Sequence, residues 1–466
     1  MSGRPAAVRW LTPAIRHVHL VGIGGKAMSA IAAALLDRGL QISGSDLQAS
    51  RYTERLVARG ARIHMGHAAA NVAGADLVGH SAAVSSGNVE LTAARAARIP
   101  VATRAQLIAE LFNAKRGIAI AGTHGKTTTS GMVATILRHT GLDPSFLIGA
   151  AIPSLENENG HLTDSPWMVV EADEFDGAFL EYRPQIAVLT HLEPDHLDFF
   201  GSTEAMVEAF GRFAAGVEAS GALIARADVP LLQGPVQRFG GSPTWFGPGA
   251  PWDIAGYQPG PVRCTIDLVT PQGPALVRTS LHGRHNAWNL VAAIAACVAA
   301  GAPLAESAAA ATAYRGADRR LELRASAGGL TLLEDYAHHP TAARVTIAAA
   351  AEMPHRRLWA IYQPLLRSRT RDLFAWFADA FAGADLVILA EISSPPGREA
   401  DSAISSADLA PTIHHPDVRF MPAFDQIVAA VQAEAVPGDV ILVMGPESVA
   451  PLADALAAWI AARETG

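Results

Sequence analysis

The sequence predicts three consecutive α/β units, each built on a mostly parallel sheet. Two glycine-rich turns, each set between an apolar run and a helix-like segment, point to the first two units. A strand–helix alternation that restarts after residue 322 points to the third. The units are expected at residues 1–115, 116–322 and 323–466. A 466-residue chain has room for two to three domains of about 150 residues each. With 50% hydrophobic and 17% charged residues, it has enough apolar material for several cores.

In the first unit, the extended apolar run 17–21 leads into Gly22-Ile23-Gly24-Gly25-Lys26-Ala27, and a helix is expected over 28–38. A second strand, 40–43, leads to Gly44-Ser45-Asp46. The G-x-G-x-x-A pattern, with an acidic residue 19 positions after Ala27, fits a Rossmann-like βαβ turn in which a diphosphate sits at the helix start. The pattern does not say whose diphosphate, and a ligand-free tight turn remains the alternative.

The second unit opens on the most informative stretch, Gly122-Thr123-His124-Gly125-Lys126-Thr127-Thr128-Thr129, after the strand-like run 117–121 and before a helix-like segment at 130–139. Backbone N–H groups and a helix N-terminus would face a phosphate, Lys126 would neutralise it, and Thr127 could ligate Mg²⁺. The generic P-loop pattern places a glycine where this chain has Ile120, so the match is to a variant, and the unit is expected to be P-loop ATPase-like. Strand 167–171 ends in Glu171, Asp173, Glu174 and Asp176; four carboxylates in six residues call for a cation, unless they form a solvated turn. Strand 186–190 is followed by His191, Glu193, Asp195 and His196. The two histidines are five apart with Pro194 between them, which breaks the helical spacing of a zinc protease, so His196 is a candidate for a second Mg²⁺. Runs 264–268 and 275–280 read as an edge hairpin. Asn286 and Asn289 share a face of the expected helix 286–300, where paired amides suit an adenine edge or one of them simply caps the helix.

The third unit is also expected to be Rossmann-like, with strands at 330–335, 358–362, 386–390 and 440–443 and helices at 341–352, 370–381, 424–434 and 448–463. Asp335, at a strand end, is a candidate for a ribose hydroxyl; His338 and His339 could equally be surface turn residues.

A net charge of −8 with scattered Lys and Arg argues against nucleic acid held by phosphate contacts. Cys264 and Cys297 lack CxxC neighbours and suggest neither a disulfide framework nor a zinc site. Apolar stretches are interrupted before about 18 residues and no secretory leader is evident, so a cytoplasmic protein without a membrane partner is expected.

Taken together, residues 22–30, 44–47, 66–67, 121–129, 171–180, 193–198, 283–289, 319–323, 335–340 and 362–373 resemble the Mur ligase family of peptidoglycan synthesis, in order and through nearly the whole chain. The resemblance implies an ATP- and Mg²⁺-dependent amide ligase with a UDP-substrate unit, a central ATPase and an amino-acid unit. It implies UDP-diphosphate contacts at Gly22, Gly24 and Gly25, with Ser45 and Asp46 near the nucleoside. ATP contacts fall at Gly122, Thr123, His124, Gly125, Lys126, Thr127, Thr128, Asn286, Asn289 and Asp335; metal positions are Thr127, Glu171 and His196, and Lys126, Glu171, His196 and Arg320 would carry catalysis. The branch implied joins L-alanine to UDP-N-acetylmuramate through an acyl phosphate, as a monomer or weak homodimer.

Two departures bear on the amino-acid side. Leu365 and Leu366 stand where the family usually has histidine and arginine. Phe175 and the run 319–324 are similar to a sister branch that ligates a tripeptide. A nicotinamide-dependent oxidoreductase would leave the Lys126 loop and the acidic strand end unexplained. A catalytically silent nucleotide-binding regulator would leave Lys126, Thr127, Glu171 and His196 without a task.

Overall fold

The computed structural model describes residues 9–394 and 404–464. Among them are four sheets. The first is fully parallel, in the order β3-β2-β1-β4-β5: β1 is His17–Val21, β2 Gln41–Asp46, β3 Arg62–Met65, β4 Leu77–His80 and β5 Val101–Thr103. The order reverses beside β1, and the glycine turn after β1 opens at that reversal, where α/β sheets bind ligands. The helix there runs Lys26–Asp37, beginning earlier than expected.

The central sheet follows the order β12-β11-β10-β6-β9-β7-β8. Here β6 is Arg116–Ala121, β7 Ser145–Ile152, β8 Glu158–His161, β9 Trp167–Glu171, β10 Ile186–Leu189, β11 Ala222–Arg226 and β12 Thr244–Phe246. Only β8 is antiparallel. Because β6 lies between β9 and β10, the lysine loop opens directly between the acidic strand end and the His191–His196 segment. Ile118, Ile120, Val169 and Val188 point to one face and pack under the helices Lys126–His139 and Arg284–Ala299, so these strands carry nearly continuous apolar runs. The expected edge hairpin differs in context. β14 (Cys264–Val269) and β15 (Ala275–Thr279) pair as antiparallel strands, but with β13 (Asp253–Gln258) they form a separate three-stranded sheet.

The last sheet has the order β16-β17-β21-β18-β19-β20, with β16 Glu322–Ala327, β17 Leu330–Asp335, β18 Leu358–Tyr362, β19 Leu386–Leu389, β20 Val418–Phe420 and β21 Val440–Met444. Only β16 is antiparallel. The helix expected over 370–381 is broken into Arg367–Asp372 and a short 3₁₀ turn, Phe374–Phe377. The turn buries Phe377 and, beyond it, Phe381 against the ring of Tyr362, at 5.8 and 5.2 Å. No helix among the described residues is long and apolar enough to cross a membrane.

The first and central sheets share one apolar cluster, running from Val18 and Leu35 through Leu107 and Phe112 to Met168 and Phe179. β8 seals the junction. Asn159 Nδ2 donates to the Lys26 carbonyl and to Ser29 Oγ, and a Cβ on Gly160 would lie 2.1 Å from the Ala30 carbonyl oxygen. Gly160→Ala therefore forces the two sheets apart. It is expected to cost about 1–3 kcal/mol, the usual range for overpacking, read as a lower denaturant midpoint; an unshifted midpoint would mean this seam carries no load.

Glu90 is fully buried in the first unit and accepts from Ser45 Oγ at 2.5 Å and Asn71 Nδ2 at 2.5 Å, with His19 at 3.8 Å. Burial alone would push its pKa up, but these neighbours outweigh burial and hold it down at about 2. The folded pKa lies below the ordinary 4.5, so the carboxylate's stabilising contribution is present above about pH 4.5 and is lost as pH falls toward 2. The stability gap between wild type and Glu90→Gln should accordingly shrink across that window in urea titrations. A pH-independent gap rules this linkage out.

Candidate active site

The lysine loop is shaped by its neighbours. Gly122 sits at φ 137°, and a Cβ there would lie 2.3 Å from Thr190 Oγ1. Gly125 sits at φ 80°, with Asn289 Oδ1 2.4 Å from where its Cβ would be. Glycine is required at both places. The strand end after β10 pins the loop: Thr123 N donates to the His191 carbonyl (3.0 Å), Thr190 Oγ1 donates to the His124 carbonyl (2.5 Å), and Thr123 Oγ1 donates to the Glu193 carbonyl (3.1 Å). The helix begins at Lys126, four residues before the expected segment, so its first-turn N–H groups belong to the loop itself.

Lys126 Nζ donates to the Gly122 carbonyl (2.7 Å) and to Glu174 Oε1 (2.9 Å), and Glu174 is 2% exposed. Burial would lower the lysine's pKa, but Glu174, Asp173 and Glu171 outweigh it and keep the ammonium charged. Thr127 Oγ1 donates to Glu171 Oε1 at 3.0 Å and accepts from Arg320 Nη2 at 3.1 Å. Glu171 Oε2 is held by the Gly149 amide at 2.7 Å. Asp173 faces Arg104 at 3.2 Å. The side chain of Asp176 lies outside the described residues.

His196, at φ 50°, packs its ring against Phe175 (5.4 Å) and stands beside Asp195, which pairs with Arg369 of the third unit at 2.5 Å. No direct contact joins His196 to Thr127 or Glu171, although all three line one cavity of about 950 Å³. That cavity also takes in Lys126, Arg320, Asn286, Asn289, Asp335 and every expected ATP-loop residue except Gly122. The nucleotide positions read from the sequence thus converge.

Several side chains behave differently from expectation. Asn286 Nδ2 donates to the His282 carbonyl and its Oδ1 accepts from Asn289 Nδ2, so its amide is already engaged at the helix start. Asp335 accepts from the Leu321 and Ala337 amides, and burial pushes its pKa up. His339 is 2% exposed and is no surface turn residue. Of the expected diphosphate glycines Gly22, Gly24 and Gly25, only Gly25 lines the cavity, together with Lys26 and Ala27 of the same turn. Asp46 braces the glycine turn by accepting from the Gly24 and Leu47 amides. The Ser45 hydroxyl faces inward to Glu90, and Ser45 serves the turn through its carbonyl, which accepts from Gly22 N at 2.8 Å.

Sequence reasoning missed the junction partners. Lys26 Nζ lies 2.7 Å from Glu447 Oε1 and 3.6 Å above the Tyr336 ring. Burial lowers the Lys26 pKa, while Lys26 overcomes the upward push of burial on Glu447 and holds it at about 2. Lys26 and Tyr336 lie inside segments the sequence singled out, 22–27 and 335–340, but without this role; Glu447 gave no sequence signal.

Sequence profiles described as the Mur ligase family catalytic domain, the Mur ligase middle domain and the Mur ligase glutamate ligase domain match residues 17–116, 120–297 and 319–446. The UDP-N-acetylmuramate–L-alanine ligase of Symbiobacterium thermophilum is 39% identical over 96% of this chain and 95% of its own length. The chain belongs to the Mur ligase family. The ligase of the same name from Mycobacterium tuberculosis is 39% identical over 94% of each chain. Among solved structures, the UDP-N-acetylmuramate–alanine ligase of Thermotoga maritima shares the fold at TM-score 0.81 and 24% identity, covering 96% of this chain and 99% of that one. A murein peptide ligase from Psychrobacter arcticus aligns at TM-score 0.70 and 27% identity over 95% of this chain and 99% of its own.

The buried Lys126–Glu174 pair makes a specific forecast for this Mur ligase. Lys126→Ala should abolish nucleotide-dependent turnover and also destabilise the fold by about 3–5 kcal/mol, because Glu174 is left as an uncompensated buried charge. Adding Glu174→Gln should restore stability but not activity. Equal denaturation midpoints for wild type and the single variant contradict the pairing.

Proposed function

We propose that the protein uses ATP to join the amine of L-alanine to the carboxylate of UDP-N-acetylmuramate, releasing ADP and phosphate, in the cytoplasmic assembly of peptidoglycan precursors. The observation that carries this reading is the convergence at Thr127. The lysine loop, the acidic strand end and Arg320 from the junction meet at one hydroxyl inside a cavity lined by residues of all three units. The names of the relatives support L-alanine as the acceptor. In this reading residues 1–115 bind the UDP substrate, 116–322 bind ATP and 323–466 present the amino acid.

The chemistry follows from leaving groups. A carboxylate cannot expel oxide, so its oxygen first attacks the γ-phosphorus, breaking the bond to ADP and forming an acyl phosphate. The amine nitrogen then attacks the acyl carbon, loses a proton, and phosphate leaves with the bonding electron pair. Two anions must approach each other, and Lys126 and Arg320 offset that repulsion at the transferring phosphoryl group. The Thr127 hydroxyl and the Glu171 carboxylate are hard oxygen donors suited to Mg²⁺, with His196 as a further ligand; bound Mg²⁺ supplies additional charge neutralisation. When phosphates enter, Lys126 exchanges Glu174 for a phosphate oxygen. Asn286, Asn289 and Asp335 are assigned to the nucleoside end, and Gly22, Gly24, Gly25, Ser45 and Asp46 to the UDP end, the last two through the turn they brace.

Phosphate release with ATP, Mg²⁺ and UDP-N-acetylmuramate, assayed with L-alanine and separately with the tripeptide, tests the assignment. Turnover is expected with L-alanine, and Arg320→Ala should lower kcat by about 10²-fold or more. Turnover with tripeptide alone removes the L-alanine assignment, and silence with both removes the ligase.

A further inference from the structure

A second cluster of ligating side chains lies beside the lysine loop, apart from the Thr127 and Glu171 oxygens. His124 of the loop, Glu193 after β10 and His339 of the third unit bring one donor atom each within 4.8 Å of one another. His124 Nε2 lies 2.5 Å from Glu193 Oε1, and His339 Nδ1 lies 3.2 Å from the same oxygen. Thr341 Oγ1 donates to Glu193 Oε2 at 3.1 Å, and His191 Nε2 stands 3.7 Å from that oxygen. One carboxylate is thus ringed by three imidazoles.

Hydrogen bonding alone leaves this cluster unsatisfied. His339 Nδ1 faces the Thr341 amide, which donates to it at 3.2 Å, and also faces the Glu193 carboxylate, which can only accept. A proton on Nδ1 serves the carboxylate and strands the Thr341 N–H. A proton on Nε2 serves Thr341 and sets a lone pair against a carboxylate oxygen. In either tautomer Nε2 is buried without a partner. Burial, reinforced by His124, lowers the His339 pKa to about 4, and burial likewise lowers that of His124, so near pH 7 these two rings are neutral while the Glu193 carboxylate, held well below its ordinary value by its imidazole neighbours despite burial, is ionised. The missing component is a positive charge.

We propose that His124, Glu193 and His339 form a binding site for a divalent transition-metal ion of the zinc type, separate from the Mg²⁺ position at Thr127 and Glu171. Two imidazole nitrogens and one carboxylate oxygen form the three-ligand set that zinc accepts with a fourth position open, and a set with two imidazoles favours zinc over Mg²⁺, which takes mainly oxygen donors. Bonds of about 2.0–2.2 Å place tetrahedral donor atoms roughly 3.3–3.6 Å apart, so the site needs side-chain adjustments of about an ångström. An ion bound there ties the phosphate loop, through residue 124, to the third unit, through residue 339.

The test uses the full-length, tag-free protein without nucleotide, with Zn²⁺ in equilibrium dialysis and Co²⁺ as a visible-absorption probe of tetrahedral nitrogen–oxygen ligation. Wild type is expected to bind one ion per chain with a tetrahedral Co²⁺ spectrum. H339N keeps a capping side chain for the helix Pro340–Ala351 but is too short to reach the ion, and E193Q keeps the volume and the hydrogen bonds to Thr341 and His124. Each should weaken binding by at least about tenfold and abolish the Co²⁺ spectrum. Absence of a bound ion in wild type, or equal affinity in wild type and either variant, overturns the proposal. Thermal melts of both variants establish that they are folded.

Discussion

Lys126 and Glu174 form the contact on which the site is organised. In a parallel sheet all strands deliver their C-terminal ends to the same edge, and the helices that follow begin there with unpaired N–H groups. Between β9 and β10 that edge gathers a lysine, several carboxylates and two histidine-bearing turns around one cavity of about 950 Å³. A buried ammonium is tolerated only beside a carboxylate, and a buried carboxylate only beside a donor. Glu174 meets the first requirement; Gly149 N and Thr127 meet the second for Glu171. The Lys126 ammonium therefore rests paired with a carboxylate. Under the proposed function a phosphate oxygen takes the place of that carboxylate, so that ligand entry exchanges one anion for another.

The same demand for compensation links the three units. Arg320 reaches Thr127, Arg369 pairs with Asp195, Thr341 bonds Glu193, and Lys26 bridges to Glu447 and Tyr336. These junctions are polar and charge-paired, whereas the seam between the first and central sheets is apolar and closed by Gly160 against Ala30. Polar junctions separate at lower cost than apolar ones, so the third unit is the part suited to open and close over the cavity.

Much of the architecture was legible because buried parallel strands are continuous apolar runs. β1, β9, β17 and β18 match the expected ranges residue for residue. β3, β4, β5, β7, β8, β11, β12, β13, β16 and β20 were missed: all but β4, β7 and β11 lie at sheet edges, where pairing partners rather than composition decide the conformation. The 370–381 segment failed for the opposite reason. Its composition favours a helix, but burying Phe377 and Phe381 beneath Tyr362 bends the chain into a 3₁₀ turn. Glycine spacing, Lys126, the acidic strand end and Arg320 carried enough signal to anticipate the cavity. Glu174 as the lysine's resting partner, the inward hydroxyl of Ser45 and the histidine ring around Glu193 carried none.

By itself the chain determined where backbone conformation is constrained: glycines at 22, 122 and 125, apolar strand interiors, and the carboxylates gathered after β9. These are local properties, set by sterics and by the cost of burying polar groups, and a linear pattern records them. Only the tertiary structure decided which charge answers which. An ion pair forms between residues tens or hundreds of positions apart, and its partner is chosen by strand order and by how the third sheet docks, neither of which leaves a periodic trace in the sequence.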